Sequence, residues 1–157
     1  MSLYIEKPVR FVWLIANTEA YLAGEKLIRP LHFFLALLKV ADPNFGHQLE
    51  EVEVSEDEQK QLAKNGRDIC RYLETNPEKA KVLRRSIRQK IRPHDKKISG
   101  MKFLHRSPES RQLFRIAAQR AVQKGKITLS APCLLEALFA SGLISFDSAG
   151  QLVYGEK

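Results

Sequence analysis

Sliding the sequence along itself by 101 residues, without a gap, brings two stretches into register, and this restricts the fold more than any other feature. Ile15 falls on Ile116, Ala16 on Ala117, Ala20 on Ala121, Gly24 on Gly125, Ala36 on Ala137, Leu37 on Leu138, Phe45 on Phe146 and Val52 on Val153. Eight identities over positions 12 to 52 is about three times the chance level for average composition. Trp13 pairs with Phe114, Ile28 with Leu129, Phe33 with Leu134 and Phe34 with Leu135, so apolar character persists where identity does not. Neither copy buries its most apolar segment alone, so the two are expected to pack as a pseudo-twofold pair of small helical units.

Apolar residues recur at helical spacing almost throughout. Val9, Val12, Trp13, Ala16 and Ala20 step by threes and fours behind Pro8, which predicts a helix over 8–23 ending at Gly24. Pro30 opens the run Leu31 to Leu38, too apolar on every side for a surface helix and therefore expected to be buried. Ser55 with Glu58 forms a capping-box signature, and Leu62, Ile69, Cys70 and Leu73 supply the stripe of a helix of about 18 residues. After Pro77, Ala80, Leu83, Ile87 and Ile91 mark an amphipathic helix whose basic residues are assigned to the other faces, with a loop from Arg92 to Gly100. Ser107-Pro108-Glu109 starts a helix that runs to Gly125, and Pro132 opens the second apolar segment. No stretch alternates with period two, so the expected fold class is all-α.

The chain carries 26 Lys and Arg against 18 Asp and Glu, a net charge of +8. Between Lys79 and Arg106 stand eleven basic residues and one acid, Asp95, for a net of +10, which leaves the remainder at −2. The basic character is thus one local segment, preceded by an acidic run from Glu50 to Glu58 that either lies against it or merely precedes it. At 157 residues, 44% hydrophobic, the chain can bury a core but has no room for a nucleotide-driven motor beside a recognition domain. It also lacks a Gly-x-x-x-x-Gly-Lys-Ser/Thr phosphate loop. Cys70 and Cys133 form no disulfide framework and are expected to be buried thiols in a reducing compartment. Met1 to Arg10 lacks the apolar stretch of a secretory signal, and no run approaches a membrane span, so a cytoplasmic, soluble protein is expected.

Each repeat reads Ala-x-x-x-Ala-x-x-x-Gly, then a four-residue link, then an apolar segment of the type x-x-His-Leu-Leu-x-Ala-Leu-Leu. In the first copy these are Ala16, Ala20, Gly24, Ile28, His32, Phe33, Phe34, Ala36, Leu37 and Leu38; in the second, Ala117, Ala121, Gly125, Leu129, Cys133, Leu134, Leu135, Ala137, Leu138 and Phe139. This pattern resembles the N-terminal (Clp R) domain of Clp-type AAA+ unfoldases, over roughly residues 6–52 and 107–153, with residues 53–106 as a charged helical insertion. The resemblance implies one module over 1–157, a duplicated bundle that does no chemistry. Such a module captures protein substrates or adaptor proteins for a Clp ATPase or protease complex. In some members an acid just before the repeat His takes part in recognising phosphorylated arginine. Leu31 and Pro132 stand there in this chain, and neither pairs with a guanidinium, so that activity is not expected at those positions.

No residue is assigned a catalytic, cofactor-binding or metal-ligating role. His32 and Cys133 occupy equivalent points but lack a third ligand or an orienting acid, and are read as helix-start residues. His47, His94 and His105 are read as loop residues, Ser107 as a helix cap, and Trp13 with Phe114 as core packing. Binding is expected to use exposed apolar surface around the repeats, with Arg84, Arg85, Arg88 and Arg92 as polar contributors. The alternative is a small nucleic-acid-binding helical protein using the basic segment 79–106. Phe103 is the lone aromatic there, so such binding would rest on phosphate contacts and be steeply salt-dependent.

Overall fold

The computed structural model describes residues 3–42, 54–92 and 101–154. Helix α1 (Lys7–Leu22) carries Pro8 in its first turn and buries Val9, Val12, Ala16 and Ala20, the stripe that the spacing predicts. It closes in a Schellman turn: Gly24 has φ +76°, its N–H donates to the Tyr21 carbonyl, and the Glu25 N–H donates to the Ala20 carbonyl, both at 3.0 Å. Helix α5 (Pro108–Gln123) ends in the same way one repeat later, with Gly125 at φ +74° and the Gly125 and Lys126 N–H groups donating to Val122 and Ala121.

Helix α2 (Pro30–Val40) is buried at every position but Lys39. Helix α3 (Glu56–Tyr72) starts at the expected capping box, in which Ser55 Oγ accepts from the Glu58 N–H at 3.1 Å and Glu58 Oε1 accepts from the Ser55 N–H at 2.9 Å. Helix α4 (Pro77–Ile91) is capped by Asn76, whose side-chain oxygen accepts from the Lys79 N–H at 2.9 Å. The Ser107 hydroxyl caps α5 through the Ser110 N–H at 3.1 Å, as the Ser-Pro start predicts. Helix α6 (Ala131–Ala140) is capped by Ser130.

Short strands supplement the helices. β1 (Tyr4–Ile5) pairs in parallel with β4 (Thr128–Leu129), and β2 (Leu27–Ile28) pairs in parallel with β3 (His105–Arg106). The segment leading into α1 therefore pairs with the link between α5 and α6, while the segment leading into α5 pairs with the link between α1 and α2. The ladders end on matching bonds, Glu6 N–H to the Leu129 carbonyl at 3.0 Å and Ser107 N–H to the Ile28 carbonyl at 2.9 Å. All four strands and both bonds obey the 101-residue offset. β5 (Ile144–Phe146) and β6 (Leu152–Tyr154) form an antiparallel hairpin after α6. The molecule is mostly helical, and the strands are additions that an all-α reading lacks, because two or three residues are too few for alternation to register.

One apolar cluster draws on all six helices and centres on α2, which α1, α3, α4, α5 and α6 all touch. The charged connection takes part in it through Leu62, Ile69 and Cys70 of α3 and Ala80 and Ile87 of α4. Gly66 lets α3 approach closely: a Cβ there would lie 2.6 Å from the Val40 carbonyl oxygen at the end of α2. One sequence expectation needs correction, and one open alternative narrows. Arg84 is not on a solvent face of α4 but buried, at 8% exposure, because the 80, 84, 88 row of the helix turns toward α1 and α2. Among the described acids of the 50–58 run, Glu58 caps its own helix and pairs with Lys7 at 3.1 Å, and it does not lie on the basic helix. The expected loop at 93–100, His47, His94 and the pairings of Phe45 and Val52 fall outside the described residues.

Candidate functional site

The chemistry that stands out lies where α1, α2 and α4 meet. On α1, Val12, Ala16 and Glu19 share one buried stripe, so a carboxylate occupies a position where an apolar side chain is expected; Glu19 is 1% exposed. On α4, Arg84 and Arg88 lie one turn apart, and Arg92 caps the helix a turn further on. Glu19 Oε1 accepts from Arg88 Nε at 3.1 Å and from Arg92 Nη2, while Oε2 lies 2.9 Å from Arg88 Nη2. Two guanidiniums on one carboxylate make a fork that ties α4 to α1.

Among the described residues, cations outnumber carboxylates around that fork. Lys39, from the last turn of α2, is half-buried, and among the described residues neither Lys39 nor Arg84 has a hydrogen bond or an ion pair. Burial lowers the Lys39 pKa from the usual lysine value, and the neighbouring Arg84 and Arg88 lower it further, against the pull of Glu19. The Arg84 pKa is lowered first by burial and then by Arg88, with Glu19 and Asp42 opposing. An open cleft of about 200 Å³ lies beside the fork, lined by Phe11, Leu14, Ile15, Thr18, Glu19, Lys39 and Arg88. Phe11, Leu14 and Ile15 give it an apolar side, and Lys39, Arg88 and Glu19 supply its charges.

Of the four arginines expected to contact a partner, Arg88 and Arg92 are spent on Glu19, Arg84 is buried, and Arg85 faces solvent. Lys79, Arg85 and Lys90 are the exposed basic residues of α4, with Lys81 half-buried between them. Glu19 and Lys39 were not singled out from the sequence. The signal that would have found them is an acid at i+3 from Ala16 on the apolar stripe, facing arginines spaced by four.

His32 and Cys133 start their helices, but by different means. The Arg29 N–H donates to His32 Nδ1 at 2.9 Å, so the third residue of α2 caps its helix, whereas in α6 the Ser130 hydroxyl accepts from the Cys133 N–H at 3.3 Å. Burial, with Arg29 and Arg92 nearby, lowers the His32 pKa from 6.5 to about 4, which keeps Nδ1 an acceptor at neutral pH. The equivalent aromatics Trp13 and Phe114 meet at 5.0 Å between centroids, with Phe33 5.1 Å from Phe114. The Arg106 guanidinium lies 4.5 Å from the Trp13 centroid. Among the described residues no group of three or more His, Cys, Asp or Glu is placed to hold a metal ion, and no helix is long and apolar enough to cross a membrane.

Compared with known proteins, the chain matches no family model, and no curated sequence matches it.

Two predictions follow from these charges. Glu19→Gln leaves Arg88 and Arg92 facing each other and Lys39 without a carboxylate between them; urea denaturation is expected to show a loss of about 2–3 kcal/mol, below the figure for a fully buried pair because both arginines keep some solvent contact. For His32, the unfolded state takes up a proton first as pH falls below 6.5, and the folded state only near 4. Stability is therefore lost on acidification across that window, by about 2–3 kcal/mol at pH 4.5 relative to pH 7.5, while His32→Gln, which keeps an acceptor but does not titrate, is expected to lack that component.

Proposed function

We propose that the chain is a non-enzymatic polypeptide-binding module of the Clp N-terminal type, serving substrate or adaptor recognition for a Clp-type ATP-dependent unfoldase or protease. The observation that carries this reading is the reciprocal strand exchange. β1 pairs with β4 and β3 with β2, and every partner is displaced by 101 residues from its counterpart. That is the geometry expected when two copies of one helical unit lock together about a pseudo-twofold axis, and it coincides with the sequence repeat that carries the resemblance. The contact of Trp13 with its equivalent Phe114 supports the same axis.

Binding would use apolar surface left open around the repeats. Tyr4 and Ile127, 63% and 74% exposed, lie side by side where the Tyr4 N–H donates to the Ile127 carbonyl at 3.2 Å. Large apolar side chains left exposed on a folded domain suit a partner with exposed apolar residues of its own. The inward turn of Arg84, Arg88 and Arg92 argues against the nucleic-acid alternative, since those three guanidiniums are withdrawn from any phosphate backbone.

The test is fluorescence anisotropy with the whole chain, using labelled, reduced and carboxymethylated α-lactalbumin as an unfolded polypeptide and a 20-base-pair DNA duplex at 50 and 200 mM salt. Saturable polypeptide binding that Tyr4→Ser with Ile127→Ser weakens at least fivefold is expected, with no duplex binding. No binding to the polypeptide would overturn the reading, and duplex binding that falls steeply with salt would then favour the nucleic-acid alternative.

A further inference from the structure

The cleft beside the Glu19 fork has features that the module reading does not use. Glu19 is engaged by Arg88 and Arg92 and reaches Lys39 only through the field of its charge, and Lys39, which lines the cleft, has no hydrogen bond or ion pair among the described residues. Arg84 stands behind it, buried at 8% exposure and equally without such a partner. Among the described residues, the cations Lys39, Arg84 and Arg88 gather around the single carboxylate of Glu19, with Asp42 adding to the field at Arg84. A half-buried ammonium held beside two guanidiniums, with the nearest carboxylate already engaged by arginine, is costly, and an incoming anion would relieve that cost. Such an arrangement is one that a ligand completes.

The cleft wall narrows the choice of anion. Phe11, Leu14 and Ile15 form an apolar side, with Leu14 42% exposed at the rim. A bare phosphodiester backbone finds no use for that wall. A peptide carboxylate next to an apolar side chain satisfies both ends of the cleft. We propose that the Phe11–Leu14–Ile15–Lys39 cleft is a recognition pocket for an acidic residue flanked by an apolar one in a polypeptide partner. The carboxylate lies against Lys39 in the positive field of Arg84 and Arg88, and the apolar neighbour rests on Leu14 and Phe11. This rests on the polypeptide-binding reading and adds to it the chemistry of the bound segment; the pocket is separate from the Tyr4 and Ile127 surface.

The experiment is an amide chemical-shift titration of the ¹⁵N-labelled full chain with N-acetyl-Leu-Asp-amide and, in parallel, its uncharged isostere N-acetyl-Leu-Asn-amide. With the Asp peptide, the amides of Leu14, Thr18 and Lys39 are expected to shift and saturate, with affinity at least tenfold above that of the Asn peptide. Lys39→Gln is expected to weaken the Asp peptide at least fivefold. Leu14→Asp, at an exposed rim position that does not disturb the core, is expected to do the same and covers the case in which the Lys39 variant folds poorly. Equal affinity for the two peptides, shifts confined to other residues, no shifts at all, or sodium acetate binding as tightly as the Asp peptide would each overturn the proposal. Binding of unfolded α-lactalbumin that survives while the cleft stays silent overturns this inference alone. Loss of that binding in the wild-type chain overturns the module reading instead.

Discussion

An eleven-residue helix that is apolar on every side has to be covered on every side, and the rest of the molecule is arranged to do so. α2 buries Leu31, Phe33, Phe34, Leu35, Leu37, Leu38 and Val40 together with Pro30, His32 and Ala36. A helix this short is marginal by itself in water, so its stability comes from what packs around it. Covering one helical cylinder takes neighbours from several directions, and α1, α3, α4, α5 and α6 supply them. Each large aliphatic or aromatic side chain buried there contributes about 1.5–3 kcal/mol against the cost of ordering the chain. The two parallel strand pairs fix how the α1–α2 and α5–α6 hairpins meet, because each ladder joins one hairpin's leading segment to the other's link. Where α3 crosses the end of α2, no residue larger than Gly66 leaves room for the Val40 carbonyl.

Electrostatics settles what apolar packing leaves open in α4. That helix has few large apolar side chains facing inward, Ile87 among them, and Val82 remains 65% exposed. Apolar burial alone would set its rotation loosely. The Glu19 carboxylate fixes it by drawing Arg88 and Arg92 to α1, and Arg84 is carried inward on the same row. The local segment with the greatest positive charge in the sequence therefore presents only part of that charge to solvent. Arg84, Arg88 and Arg92 are instead turned toward α1 and α2, the last two onto the Glu19 carboxylate.

Much of the architecture was legible in the sequence because it rests on local rules. Gly24 and Gly125 close their helices in left-handed geometry, Ser55 with Glu58 and Ser107 with Pro108 open theirs, and the run from Leu31 to Leu38 is buried as its composition requires. The parallel strand pairs were not legible, since two residues carry no periodic signal and their partners lie 78 and 124 positions away, as Ile28 with Arg106 and Tyr4 with Thr128 illustrate. The site was only half legible. Arg84, Arg88 and Arg92 could be picked out as a row, but a helical wheel assigns charge to solvent, and only the buried Glu19 on another helix reverses that assignment. Lys39 is a single lysine ending an apolar run, which by pattern alone reads as a helix C-terminal cation, and its place in the cleft is a tertiary fact.

The central claim is that the second helical hairpin is needed to cover α2, so that the two hairpins open together. Native-state amide hydrogen exchange on the whole chain tests it most directly, by comparing the interior amides of α2, Ala36 and Leu37, with those of α6, Ala137 and Leu138. The account predicts one opening free energy for both sets, within about 0.5 kcal/mol, equal to that of global unfolding. Exchange of the α6 amides at an opening cost several kcal/mol lower, with α2 still protected, would contradict it.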